Sequence, residues 1–317
     1  MADILPIKAN KQSKVNRIWR FINKSKLFKP KHIYQVITKI VFKLTKQNKI
    51  IIDFTSLKGW NIKLLIISVP FISRSLPIYA KTLFLSDIYN MKYKSENEFI
   101  KKCILEFIEI MPQDLKGNLI IFADRQFATK EFIKFFIENN LRFVMRIKEK
   151  VKVEIDGKEI LIKNLKEGFY EVKIDGKQIK LYKKKDKKDN MVIITTEDLK
   201  TVKKAVKTYL RRSLCENMHR DLKQRIDILF LNKNYYKNLT EEKVNKYLVL
   251  FILTHLFGML IGYKAKRNKE IYRKFISHKK EKSLFNLGQL VVIDGLVDFI
   301  GVDISNFLKR FLLSDYR

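Results

Sequence analysis

Between Tyr209 and Lys223 the chain reads YLRRSLCENMHRDLK, and Tyr209, Arg212, Glu216 and Lys223 follow one another at steps of three, four and seven. At about 100° per residue these are helical steps, so the spacing predicts one face carrying a phenol, a guanidinium, a carboxylate and an ammonium, joined by Arg220. Leu210, Leu214, Met218 and Leu222 are expected on the opposite, apolar face. A carboxylate among cations is common as an exposed ion-pair cluster on a helix. The same set could also serve phosphoryl transfer, with a carboxylate holding a hard divalent cation and Arg and Lys holding phosphates.

Two aspartates stand at the ends of apolar runs. Ile50, Ile51 and Ile52 lead into Asp53, followed by Phe54, Thr55 and Ser56. Leu119 to Ala123 lead into Asp124, Arg125, Gln126 and Phe127. Near-continuous apolar runs of this length suit strands covered on both faces. An ionised carboxylate there is costly unless paired or coordinated. The plainer alternative has Asp124 capping a helix that begins near Thr129, and Asp53 ending its strand in a turn.

Tyr, two residues, Arg, three residues, Glu, six residues, Lys resembles the YREK signature of the DDE transposases of bacterial insertion sequences, the cut-and-paste group. In the same comparison Asp53 looks like the family's first aspartate and Asp-Arg-x-Phe at Asp124 like its second motif. The resemblance implies a catalytic triad of Asp53, Asp124 and Glu216 that binds two Mg²⁺, with Mn²⁺ as a substitute and Asp53 as the bridging ligand. It implies that Arg212 and Lys223 hold phosphates flanking the scissile bond, and that Tyr209 donates to a phosphate or stacks on a displaced base. The implied reaction is hydrolysis at the element's ends followed by attack of the freed 3′-OH on target DNA. The implied partners are double-stranded DNA, as terminal inverted repeats and target, and a second copy of the chain in a homodimeric synaptic complex. Two departures stand out. Ser213 occupies a position where the family often has Trp, and the segment before Asp53 is shorter than is usual. The second departure leaves a truncated, non-cutting DNA-binding protein of the same fold as the alternative.

The elements that must position these residues can be read from periodicity. Strands are expected at 50–55, 64–69 and 78–84, then a helix near 95–111, a strand at 119–123, a helix at 129–139 and a strand at 141–147. That order is expected of a ribonuclease-H-like α/β core, a mixed sheet flanked by helices, in which Asp53 and Asp124 lie on neighbouring strands. Residues 150–196 form a β-rich insertion before the last catalytic helix, because Asp156-Gly157 and Asp175-Gly176 each sit between β-prone runs, a tight-hairpin signal. Lys183 to Lys188 is expected as a solvated loop before a strand at 191–195. The expected organisation is therefore a basic helical segment at 1–49, a core at 50–149 and 197–263, the insertion at 150–196, and a basic helical region at 264–317. The N-terminal segment carries a helical run near 33–46 and an aromatic pair, Trp19 and Phe21.

A chain of 317 residues with 46% hydrophobic content can bury a large core, which excludes a disordered polypeptide. Its formal charge of +33 attracts polyanions, nucleic acid or anionic lipid. Cys103 and Cys215 with four scattered histidines give no zinc spacing and no disulfide framework. A reducing bacterial cytoplasm, in association with the nucleoid, is the expected compartment. The apolar run Tyr247 to Tyr263 is slightly short for a bilayer span and carries Thr254 and His255 near its middle. It is expected as a buried helix packed through Gly258 and Gly262, with His255 in the core and no membrane partner.

Overall fold

The computed structural model describes residues 29–57, 61–186, 190–221, 240–275 and 284–293, with Asn10, Ser13, Asn16 and Arg20. Trp19, Phe21, Lys187, Lys188, Leu222, Lys223 and residues 294–317 lie outside this set. The chain forms two compact units, one of Thr38–Leu231 and one of Met1–Ile37 with Asn232–Arg317.

In the unit Thr38–Leu231 three long strands come first, β1 (Lys49–Leu57), β2 (Ile62–Phe71) and β3 (Arg74–Phe84). They pair as an antiparallel meander. Nine of the ten positions of β2 are buried, so both faces of the sheet are covered there, as its unbroken apolar run requires. Strands β4 (Ile120–Ala123) and β5 (Arg142–Arg146) then add to the other side of β1, parallel to it and to each other. Parallel neighbours need crossovers. The helices Glu96–Ile110 and Lys130–Glu138 supply them. The strand order 3-2-1-4-5 with these directions is the ribonuclease-H-like core expected from the sequence. Each crossover helix has its own cap: the side chain of Ser95 accepts from Glu98 N, and that of Thr129 from Phe132 N. Asp124 is therefore not the cap of the next helix.

The insertion extends the same sheet. Strands β6 (Lys152–Ile155), β7 (Lys158–Leu161), β8 (Gly168–Ile174), β9 (Lys177–Lys184) and β10 (Met191–Thr195) continue beyond β5 in the order β10-β9-β8-β6-β7. Both Asp-Gly pairs are the hairpin turns that the sequence predicts, with positive φ at Asp156 and Gly157 (50° and 76°) and at Asp175 and Gly176 (54° and 73°). Lys183 departs from expectation. It belongs to β9, is 4% exposed, and its Nζ meets a Glu149 carboxylate oxygen at 2.8 Å and the carbonyls of Ile162 and Lys163 at 2.9 and 3.0 Å. A lysine run reads as solvated by composition, but one of its members has found enough acceptors to be buried.

The second unit contains the helix Glu241–Arg267, which is longer than its apolar segment and capped by Thr240. By length and composition it could cross a membrane, yet 61% of its most apolar window is buried inside the protein. Its glycines explain how. A Cβ on Gly262 would lie 1.7 Å from the carbonyl oxygen of Leu284, and one on Gly288 would lie 1.9 Å from that of Gly258, so the helix Leu284–Ile293 packs backbone to backbone against it. His255 is 2% exposed and stacks on Phe285 at 4.9 Å between ring centroids, a core histidine as expected. Replacing Gly262 by Ala is expected to destabilise this unit by about 1–3 kcal/mol through overpacking. Gly117→Ala, where a Cβ meets nothing within 4 Å, should be close to neutral. Denaturant unfolding of both variants checks the contrast.

Candidate functional site

The β1/β4 register sets the first two carboxylates. Ile52 pairs with Ala123, so the next residues along the two parallel strands, Asp53 and Asp124, emerge side by side at one end of the sheet. The loop after β4 is fixed at both ends. Phe127 N donates to the carbonyl of Asp124 at 2.9 Å, and the Phe127 ring is fully buried, edge-on to Phe132 at 5.4 Å. Gln126 Nε2 reaches back to the carbonyl of Phe54 at 3.3 Å and ties the loop to β1. The Asp-Arg-x-Phe pattern thus has a mechanical reading: the aromatic anchors a turn that holds the aspartate at the strand end.

The third carboxylate comes from a segment with a change of winding. A helix over Val202–Tyr209 passes into a 3₁₀ turn at Leu210–Ser213, and α-helix resumes over 214–221. A 3₁₀ turn advances about 120° per residue against about 100° in an α-helix, so four residues rotate the downstream helix by roughly 80°. The expected apolar back is therefore only partly the buried face: Leu210 is 50% exposed and Leu214 half-buried, whereas Met218 is buried together with Tyr209, Cys215, His219 and Asp221. Two contacts to β3 hold the helix in place: Arg74 Nη1 to Asp221 Oδ2 at 2.6 Å, and Ser75 Oγ to Met218 Sδ at 3.4 Å.

Arg212 is where the three elements meet. Its Nη2 lies 2.9 Å from Asp53 Oδ1 and 3.5 Å from Asp124 Oδ2, and its Nη1 lies 3.1 Å from Glu216 Oε1. Tyr209 Oη donates to Asp124 Oδ1 at 3.3 Å. The side chains of Asp53, Asp124 and Glu216 are 13%, 32% and 61% exposed, so the site grades from a largely covered Asp53 to a Glu216 open to solvent. Of the residues predicted from the sequence, Asp53, Asp124, Tyr209 and Glu216 thus gather at one end of the sheet around Arg212. Lys223 lies outside the described residues. Tyr209 is 6% exposed with its hydroxyl on Asp124, so its ring is covered and does not offer a face for a base to stack on.

Electrostatics reflect burial and these neighbours. Burial pushes the Asp53 carboxyl up, but His219 and Arg212 more than offset it, and the group is held below the usual aspartate value. Burial opposes the charge of Arg212, and Asp53, followed by Cys215 and Asp124, outweighs it and holds the guanidinium more firmly protonated than usual. Burial and then the Asp124 carboxylate raise the Tyr209 phenol, which stays a donor. Burial and then Asp53 push the Cys215 thiol up to about 12.

Cys215 and His219 were not legible as site residues. His219 Nε2 lies 2.7 Å from Asp53 Oδ2, and Cys215 Sγ lies 3.8 Å from the same oxygen. Spacing along the chain displays no metal site for the cysteines and histidines, yet Asp53, Cys215 and His219 bring ligand atoms within 4.8 Å of one another. Cys215 and His219 are four residues apart on a helix, a spacing that shares a face. Their partner Asp53 lies 162 residues before Cys215, too far for a sequence motif to display.

Residues 86–252 match the family model of the transposase DDE domain, which is more than half of the chain. The chain belongs to the transposase DDE domain family. The matched part of this DDE domain contains Asp124, Tyr209, Arg212, Glu216 and Lys223 and begins after Asp53, so it is the β1/β4 register that brings Asp53 to the rest. No curated protein matches the DDE chain. Among solved structures it is similar to the piggyBac transposase synaptic complex with hairpin DNA, at 13% identity and a TM-score of 0.44. That similarity covers 85% of this chain and 56% of the other, so the chain spans little more than half of that protein.

Removing the central cation is expected to leave three carboxylates facing one another. Arg212→Ala should lower the unfolding free energy by about 3 kcal/mol in chelator, the scale of breaking a largely buried charge cluster. Added Mg²⁺ should restore part of that loss. Thermal and denaturant unfolding with and without Mg²⁺ measure both effects, and an unchanged midpoint in chelator would contradict the assignment of Arg212 as the cluster's counter-ion.

Proposed function

We propose that the chain is a cut-and-paste transposase of the YREK group from a bacterial insertion sequence, which hydrolyses phosphodiester bonds at the element's ends and joins the freed 3′-OH to target DNA. The observation that carries this reading is the Arg212 guanidinium within 2.9, 3.5 and 3.1 Å of carboxylates from three separate elements. Carboxylates brought this close repel and raise one another's pKa unless cations balance them. A set of oxygen donors on rigid elements suits Mg²⁺ or Mn²⁺. The residues therefore fit such ions, and Asp53, Asp124 and Glu216 would hold them. When bound, the ions supply an activated attacking oxygen, support for the leaving oxygen and charge neutralisation at phosphorus.

The remaining work belongs to the chain's own side chains. Arg212, no longer needed as the carboxylates' counter-ion, turns its planar fork to a phosphate beside the scissile bond. Lys223 places a point charge on the flanking phosphate. Tyr209 keeps its hydroxyl on Asp124 and holds that carboxylate in position. DNA enters at the exposed Glu216 side, and the formal charge of +33 draws a polyanion toward the protein. The partners are the terminal inverted repeats, the target duplex and a second copy of the chain, in a bacterial cytoplasm at the nucleoid.

The test uses labelled DNA carrying the inverted repeats that flank the coding region, with Mn²⁺ as the metal. The wild-type chain is expected to nick at the repeat ends, and Glu216→Gln to lose roughly a thousandfold or more of that rate while still binding the DNA. Tight binding by the wild type with no metal-dependent nicking would instead identify a DNA-binding protein that does not cut.

A further inference from the structure

We propose that Asp53, Cys215 and His219 form a second metal site, for a borderline-to-soft transition-metal ion of the Zn²⁺ class, which shares Asp53 with the carboxylate cluster. Its inhibitory consequence rests on the function proposed above, whereas its binding does not. The three residues offer one oxygen, one sulfur and one nitrogen within 4.8 Å of one another. Tetrahedral zinc with ordinary bond lengths sets such donors about 3.3–3.6 Å apart. The observed separations from Asp53 Oδ2, 2.7 Å to His219 Nε2 and 3.8 Å to Cys215 Sγ, lie on either side of that range, and all three ligand atoms lie within 4.8 Å of one another.

Three further features point to a ligand. Cys215 and His219 are 0% and 7% exposed, so the site is enclosed. Both ring nitrogens of His219 are buried, Nδ1 makes no hydrogen bond among the described residues, and Nε2 lies 2.7 Å from Asp53 Oδ2. Their i, i+4 spacing also puts both on one side of the helix that carries Glu216. Hard Mg²⁺ has little use for thiolate and imidazole, while Zn²⁺ binds both strongly. Binding breaks the Cys215 S–H bond, releases that proton to solvent and forms a sulfur–metal bond. Zinc held through Asp53 Oδ2 draws that carboxylate toward Cys215 and His219 and away from the oxygen cluster that its Oδ1 faces, and so acts as an off-switch.

The test titrates the full metal-free chain with Zn²⁺ in the presence of excess Mg²⁺, and with Co²⁺ as a spectroscopic probe. One equivalent of Zn²⁺ is expected to bind, Co²⁺ should give a thiolate-to-metal charge-transfer band, and Cys215→Ser should abolish the band and weaken Zn²⁺ binding by at least about a hundredfold. His219→Gln should weaken it comparably, and circular dichroism of both variants checks that they are folded. In the nicking assay the Zn²⁺ concentration that halves each protein's own zinc-free rate should rise in Cys215→Ser. Equal Zn²⁺ affinity in folded Cys215→Ser and wild type, or a Co²⁺ complex with no thiolate band, would overturn the site. Absence of nicking by zinc-free wild type would count against the proposed function alone, since the binding measurements stand without it.

Discussion

Mutual repulsion among Asp53, Asp124 and Glu216 is the constraint around which this unit is arranged. Three like charges drawn from two strands and a helix do not gather in a folded protein without a cation to hold them. Arg212 supplies it through contacts of 2.9 to 3.5 Å, on a side chain 13% exposed. A guanidinium is always charged and presents several donors in a plane, so it can satisfy three carboxylates where an ammonium would serve as one point. The cluster is thus organised around a cation, held by contacts from all three carboxylates.

The rest of the architecture prevents that cluster from relaxing apart. Parallel pairing of β1 and β4 fixes the aspartates as neighbours. The buried Phe127 ring holds the loop that carries Asp124. Arg74 to Asp221 at 2.6 Å anchors the helix bearing Glu216 to β3. The ten-stranded sheet runs on from β5 into the insertion, so the insertion braces one edge of the core.

Much of this was legible in the residues because strand periodicity and turn chemistry are local. The five core strands, both crossover helices and both Asp-Gly hairpins fall within a few residues of where the pattern puts them. The convergence of Asp53 with Asp124 could be read from strand order. Tyr209, Arg212 and Glu216 gather at one site as their spacing implies, but Leu210 on the expected apolar back is exposed, because a 3₁₀ turn at Leu210–Ser213 has no sequence signature distinct from helix. Lys183 misled for a different reason: its acceptors on Glu149, Ile162 and Lys163 are supplied by tertiary packing. Cys215 and His219 were hidden because their third partner arrives from β1.

The proposal that Asp53, Asp124 and Glu216 act together as one divalent-cation site is tested most directly by Mn²⁺ binding. Electron paramagnetic resonance measures it in the wild type and in Asp53→Asn, Asp124→Asn and Glu216→Gln. Each substitution is expected to weaken Mn²⁺ binding, with Asp53→Asn the most severe because it removes the shared ligand. Wild-type affinity retained in all three variants would contradict a shared site.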